Sequence, residues 1–180
     1  MNMLFLLVTF PGTLPMERPD MPERSARNIL FICMGNICRS PMAEGVFIHK
    51  LGERGIRDDY RVDSAGTGGW HAGSPPDHRS EEVARRNGVP LVSRARQVDD
   101  RDFETFDLLV VMDRDNAREL AAMGCPEEKI RLLMSYHEDS AHDEVPDPYY
   151  GGPDGFQLMY DLIDGAIDRL IDRMQSGRSS

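Results

Sequence analysis

Cysteine is scarce: there are three in 180 residues. That is an odd number and too small for a disulfide framework, so a reducing, cytoplasmic setting is expected. Basic charge is also short. With 21 Lys and Arg against 31 Asp and Glu, the formal net charge is −10, which weighs against a nucleic-acid binder, since that would need a basic face to displace counterions. An anionic ligand must then be held by a local device rather than by the field of the whole molecule. Long apolar runs are missing too. Met3–Phe10 (MLFLLVTF) falls far short of the roughly 20 residues that span a bilayer, and no Lys or Arg precedes it as in a secretory signal. No Gly-Lys-Ser or Gly-Lys-Thr occurs, which rules out a Walker phosphate loop. Cys33 and Cys38 have four residues between them, but Cys125 stands alone and no paired His lies nearby, so no metal or cofactor is expected.

What is present suits one domain. A composition 40% apolar and 29% charged is that of an ordinary globular chain. Residues 1–27, with Pro11, Pro15, Pro19 and Pro22, read as a disordered leader or a misplaced start, and 175–180 as a frayed polar tail. Between them, 28–174 alternates strand and helix patterns. Ile29–Cys33, Tyr60–Ser64, Leu108–Met112 and Ile130–Met134 read as strands, the first and third as runs buried on both faces. Ala43, Phe47 and Leu51 share one helical face, with Gly52 placed where a helix stops. Glu81–Arg86, Asn116–Met123 and the stripe from Phe156 to Met174 read as further helices. The expected fold is α/β: a single-domain, four-stranded parallel sheet with helices on both faces and an anion-binding loop after the first strand.

That loop carries the chemistry: Cys33-Met34-Gly35-Asn36-Ile37-Cys38-Arg39-Ser40-Pro41. Gly35 and Asn36 are the residue types that best tolerate positive φ, and a helix begins near Arg39. Such a turn aims backbone N–H groups inward over a helix N-terminus, which is a cradle for an anion. Cys33 at its mouth faces the positive helix end and Arg39, both of which favour a thiolate. Arg39 offers a planar fork for two phosphate oxygens, and Ser40 a donor to the sulfur. A buried cysteine beside an ordinary arginine is the plainer alternative, but strand, glycine, Ser-Pro helix start and amphipathic helix all fall where an anion loop needs them.

Phosphoryl transfer to a thiolate also needs an acid opposite the nucleophile to protonate the departing oxygen. Asp147, in Asp147-Pro148-Tyr149-Tyr150-Gly151-Gly152, has the setting of such a donor. The proline and glycines fix a turn, and two tyrosines form an apolar wall that favours the protonated carboxyl. A solvated Asp-Pro turn is the alternative that local sequence leaves open.

With both segments in place, the chain resembles the low-molecular-weight protein tyrosine phosphatases from Asn28 to about Met174. Two further stretches carry the likeness: Val62–Thr67 with Trp70, and Ala95–Val98 through Met112-Asp113 to Asn116. The resemblance implies hydrolysis of protein phosphotyrosine through a phosphocysteine, with Cys33 as nucleophile, Arg39 as transition-state clamp and Asp147 as general acid, then base. Met34, Gly35, Asn36, Ile37, Cys38 and Ser40 would form the phosphate loop, and Ser64 and Asn116 its supporting network. Ile37, Trp70, Tyr149 and Tyr150 would form the slot for the substrate ring. Asn87 stands where animal members often carry a histidine of that network. In the family the second loop cysteine, here Cys38, can trap an oxidised nucleophile; simple packing is its other reading. The expected partners are phosphotyrosine proteins, with no metal, no nucleic acid, no membrane span and a monomeric chain. Two relatives fit less well. Thioredoxin-linked arsenate reductases use a cysteine pair in mid-chain, and no cysteine lies between Cys38 and Cys125. Protein-arginine phosphatases carry Thr where this chain has Ile37. A silent phosphotyrosine-binding module would need neither Cys33 nor Asp147.

Overall fold

The computed structural model describes residues 26–138, 141–149 and 152–176. Four strands, β1 (Asn28–Cys33), β2 (Arg61–Gly66), β3 (Leu108–Val111) and β4 (Ile130–Leu132), form one parallel sheet in the order β2-β1-β3-β4. The helices are α1 (Arg39–Glu53), α2 (His78–Arg86), α3 (Asp100–Thr105), α4 (Arg114–Ala122) and α5 (Pro153–Gln175). The chain leaves β1 toward β2 on one side and returns to β3 on the other. Strand order therefore reverses at β1, and a crevice opens at the carboxyl ends of β1 and β3, where such sheets bind ligands. The loop from Cys33 to Arg39 lies there.

The period-2 geometry of β1 divides the core. Ile29, Phe31 and Cys33 join a cluster with Phe47 of α1 and Phe156, Ile163 and Ile167 of α5. Leu30 and Ile32 join the opposite one, with Phe103 of α3 and Leu120 of α4. Cys33 is thus the last inward residue on the α1 side, aimed at the start of that helix. Phe47 is fully buried, edge-on to Phe31 at 5.4 Å and to Tyr60 at 6.1 Å. Among the described residues no helix is long and apolar enough to cross a membrane.

Several boundaries differ from the sequence reading. α1 runs through Gly52 and stops where Gly55 takes φ +67: a glycine within a helix only weakens it, whereas a left-handed turn requires one. Ala65 and Gly66 belong to β2, not to the loop after it. β4 ends at Leu132, and Leu133–Tyr136 tightens into a 3-10 turn. Helix α3 has no apolar periodicity to reveal it. Its start is fixed by a reciprocal cap in which Asp99 receives the helix N–H groups and Asp102 receives the Asp99 N–H. α2 begins at His78, three residues before the apolar pattern, because the Asp77 side chain accepts from Arg79 N–H. α5 extends through Gln175, with Ser176 closing it. The leader up to residue 25 and the last four residues lie outside the described residues.

Candidate active site

At the end of β1 the backbone turns over Asn36, whose φ of +54 is the one positive value among the described non-glycine residues. Gly35 is not left-handed; its missing side chain leaves room for His71, whose Cδ2 would sit 3.1 Å from a β-carbon there. The turn aims the Asn36 N–H at Cys33 Sγ, 3.3 Å away, while Ser40 Oγ lies 3.1 Å from the same sulfur.

The polarity of this network can be assigned from one contact. Asn36 Oδ1 accepts from the backbone N–H of Arg96 at 2.9 Å, and a backbone N–H can only donate, so the side-chain NH₂ must face the other way. There it donates to Ser40 Oγ and to Ser64 Oγ, both at 2.9 Å. Ser64 passes its own proton to Glu44 Oε2 at 2.6 Å. Ser40, with an oxygen lone pair occupied by Asn36, is left to direct its hydrogen to the sulfur or to the Ala65 carbonyl at 3.4 Å. Glu44 is buried in α1, and burial pushes its carboxyl pKa up despite hydrogen bonds from Ser64 and Ser93.

Arg39 is 3% exposed. Nη1 donates to Asp113 at 2.6 Å and to the Val145 carbonyl at 3.2 Å, and Nη2 to Asp147 at 3.0 Å. Burial alone would lower its pKa; facing Cys33, Asp147 and Asp113 outweighs burial and holds it above the ordinary value. Asp113 lies two residues past the end of β3 and caps α4, its other oxygen accepting from Asn116 N–H at 2.8 Å.

These elements enclose a cleft of about 120 Å³, lined by Cys33, Met34, Gly35, Ile37, Cys38, Arg39, Trp70, His71, Asp147 and Tyr149. Asn36, Ser40 and Ser64 support it from below, all buried. The apolar wall expected beside Asp147 is only partly there. Tyr149 is half exposed, its N–H donates to Asp147 Oδ1 at 3.0 Å, and the carboxylate's other oxygen faces Arg39. Tyr150 lies outside the described residues. Asn116 is buried in a neighbouring cavity with Asp113 and Arg39, and its Oδ1 has no hydrogen-bond partner among the described residues. Asn87 donates to the Val83 carbonyl at the end of α2, which ties it to its own helix. Cys38 is buried, and burial, with Asp77 and Cys33 adding to it, pushes its thiol up to about 12. Among the described residues no three ligating side chains cluster as a metal site.

Three residues of the site received no role from the sequence: Glu44, and Asp113 and Arg96, which appear there only within stretches that carry the family likeness. Only Asp113 gave a signal there: it ends a buried strand and precedes a helix, at the edge of the sheet where ligands bind. Arg79 is another. It pairs with Asp77, which it holds below the usual carboxylate range. It also lies over the rings of Tyr149 at 5.3 Å and Phe156 at 4.5 Å and donates to the Tyr149 carbonyl at 3.3 Å. It thereby fastens the Asp147 loop to α2 and α5.

A parallel sheet that ends in inward N–H groups above a helix N-terminus defines the class of α/β proteins that hold an anion at that point. The family model for low molecular weight phosphotyrosine protein phosphatase matches residues 28–180. The human low molecular weight phosphotyrosine protein phosphatase is 41% identical over 145 residues, 78% of this chain and 90% of the relative. A protein tyrosine phosphatase crystal structure from Entamoeba histolytica superposes with a TM-score of 0.81 at 37% identity, covering 84% of this chain and 99% of the other. DARP, described as a Drosophila arginine phosphatase, superposes with a TM-score of 0.75 at 34% identity, covering 81% and 97%. The chain belongs to the low molecular weight protein-tyrosine phosphatase family, whose members are phosphomonoester hydrolases.

Glu44 generates a prediction. A carboxyl whose folded pKa lies above its unfolded value of about 4.3 favours folding below that value, and the benefit is lost as pH rises through the folded pKa. Glu44→Gln stays neutral and keeps an acceptor for Ser64. Its melting temperature should exceed that of the wild type at pH 7, and the gap should close near pH 4. A gap that is constant across this range would mean that the Glu44 charge is not what costs stability.

Proposed function

We propose that the chain hydrolyses protein phosphotyrosine through a phosphocysteine, with Cys33, Arg39 and Asp147 as its catalytic residues. The observation that carries this is their convergence: Cys33 and Arg39 share one loop, and Asp147, 108 positions beyond Arg39, is held 3.0 Å from the guanidinium. The Cys33 thiolate attacks phosphorus, the bond from phosphorus to the phenolic oxygen breaks, and Asp147 gives that oxygen its proton. Water then attacks phosphorus, Asp147 takes its proton, the P–S bond breaks, and thiolate and inorganic phosphate are released. Arg39 and the loop N–H groups hold the equatorial oxygens as their charge is redistributed. Asn36 N–H and Ser40 steady the sulfur as nucleophile and as leaving group. Ser64 acts through Asn36 as a positioning residue, and Asn116 through the Asp113 turn that holds Arg39.

The fold also occurs in a protein described as an arginine phosphatase, so the choice of phosphoryl group rests on the slot. Ile37, Trp70 and Tyr149 present apolar surface suited to an aryl ring, and Ile37 offers no hydroxyl to a guanidinium. Phosphoproteins are accordingly the partners.

Cys33→Ser keeps the backbone cradle and Arg39. It should retain vanadate binding while losing turnover of p-nitrophenyl phosphate to below about 1% of wild type, as deletion of a nucleophile does. Residual activity above that level overturns the assignment. Asp147→Asn should slow single-turnover cleavage of phenyl phosphate by roughly 10²–10⁴, and activated aryl phosphates much less, because a stable phenolate leaves without help. An equal loss for good and poor leaving groups would mean that Asp147 only shapes its loop.

Cys38 supplies the redox arm of the same reading. Peroxide oxidises the Cys33 thiolate to a sulfenic acid and is reduced to water. The Cys38 sulfur then displaces water to form a disulfide, which dithiothreitol reduces. With its pKa near 12, Cys38 presents little thiolate at neutral pH, so the disulfide closes slowly. Cys38→Ser should lose activity to peroxide as the wild type does, but recover far less with dithiothreitol. Full recovery would assign Cys38 to packing.

A further inference from the structure

Trp70 is 66% exposed, a large apolar surface to leave in water. A β-carbon at Gly68 would collide with the six-membered ring of Trp70, so the indole rests directly on the Gly68 backbone and is propped upright. Standing there, it divides two cavities. One is the cleft that contains Cys33. The other, about 260 Å³, lies against α4 and is walled by Trp70, Ala122 and Met123, with Thr67 and Gly68 on its inner side and Glu119 on its margin.

This second cavity has the composition of a side-chain pocket. Met123 is 38% exposed, and methionine is a soft surface that adapts to differing apolar shapes. Tryptophan is the residue type most enriched where binding energy concentrates. The Thr67 hydroxyl is buried without a hydrogen-bond partner among the described residues, leaving a donor and an acceptor that the fold does not use. Glu119 lies where an acidic ligand would be repelled. Trp70 lines both this cavity and the catalytic cleft, so the cavity lies next to a phosphotyrosine held in the cleft.

We propose that the groove between Trp70 and Met123 is a specificity subsite for the substrate, receiving an apolar side chain next to the phosphotyrosine and disfavouring an acidic one. The inference rests on the phosphotyrosine reading and deepens it: one face of Trp70 serves the phosphorylated ring and the other its neighbour in sequence.

The test uses phosphotyrosine peptides identical except for Leu or Glu beside the phosphotyrosine, placed before it and after it in turn. The wild type should prefer Leu in kcat/KM by about tenfold on one side, the size of effect one apolar contact provides. Met123→Glu should abolish that preference while leaving kcat/KM for p-nitrophenyl phosphate, which has no neighbour to place, unchanged. Met123→Gln, milder toward folding, should reduce the preference in the same direction. A wild type indifferent to the neighbour on both sides, or a preference that survives both substitutions, overturns the subsite. Turnover of p-nitrophenyl phosphate is read separately, so failure of the phosphatase reading is not mistaken for failure of the groove.

Discussion

One asparagine in a left-handed conformation ties the site together. At φ +54, Asn36 bends the loop so that its N–H meets the Cys33 sulfur, and its side chain spans three other parts of the fold. It accepts from the segment at Arg96, donates to Ser40 on α1 and donates to Ser64 on β2. Left-handed backbone is unfavourable for a side chain with a β-carbon, and persists where surrounding contacts over-determine it. Three side-chain hydrogen bonds in a buried setting do that. A glycine could make the turn but not the bonds; most other residues could make neither.

The same economy explains how a chain of net charge −10 is suited to hold an anion. Its field works against one, and the cradle answers with buried donors at short range, where the dielectric is low. Arg39 is fixed by two carboxylates from far along the chain, Asp113 after β3 and Asp147 before α5. Asp113 serves twice, capping α4 with one oxygen and orienting the guanidinium with the other, so the start of that helix and the direction of Arg39 are set by the same side chain.

The parts legible in the sequence share a physical cause. β1 and β3 announce themselves because parallel strands are buried on both faces, and the Cys33–Arg39 loop because strand, turn and helix start are contiguous. What was not legible depends on contacts across the fold or on caps. Helix α3 is fixed by Asp99 and Asp102, with too few turns for a stripe. Gly52 and Gly55 were both available to end α1, and only tertiary placement chose the second. Glu44 carries a charged side chain on a helix face that would ordinarily meet solvent; that it is buried beneath Ser64 follows from the packing of α1 on β2. Arg79 carries no sequence signal, because its place depends on α2, α5 and the Asp147 loop converging. Asn87, a departure from the family pattern, donates to its own helix at Val83, a local contact that sequence position alone does not reveal.

The separation of Arg39 from Asp147 along the chain also has a meaning in time. Synthesis proceeds at about 5–20 residues per second, so Asp147 leaves the ribosome roughly 5–20 s after Arg39. Within that interval β2, β3 and β4 emerge in turn and α5 has not yet been made, so the crevice has only part of its walls and Arg39 has not met Asp147. A nascent chain therefore carries Cys33 and Arg39 before the second carboxylate that pairs with Arg39 exists, and a truncated product ending ahead of Asp147 holds the thiol in an open crevice. The cleft is completed only once Asp147 and Tyr149 have been made, late in translation.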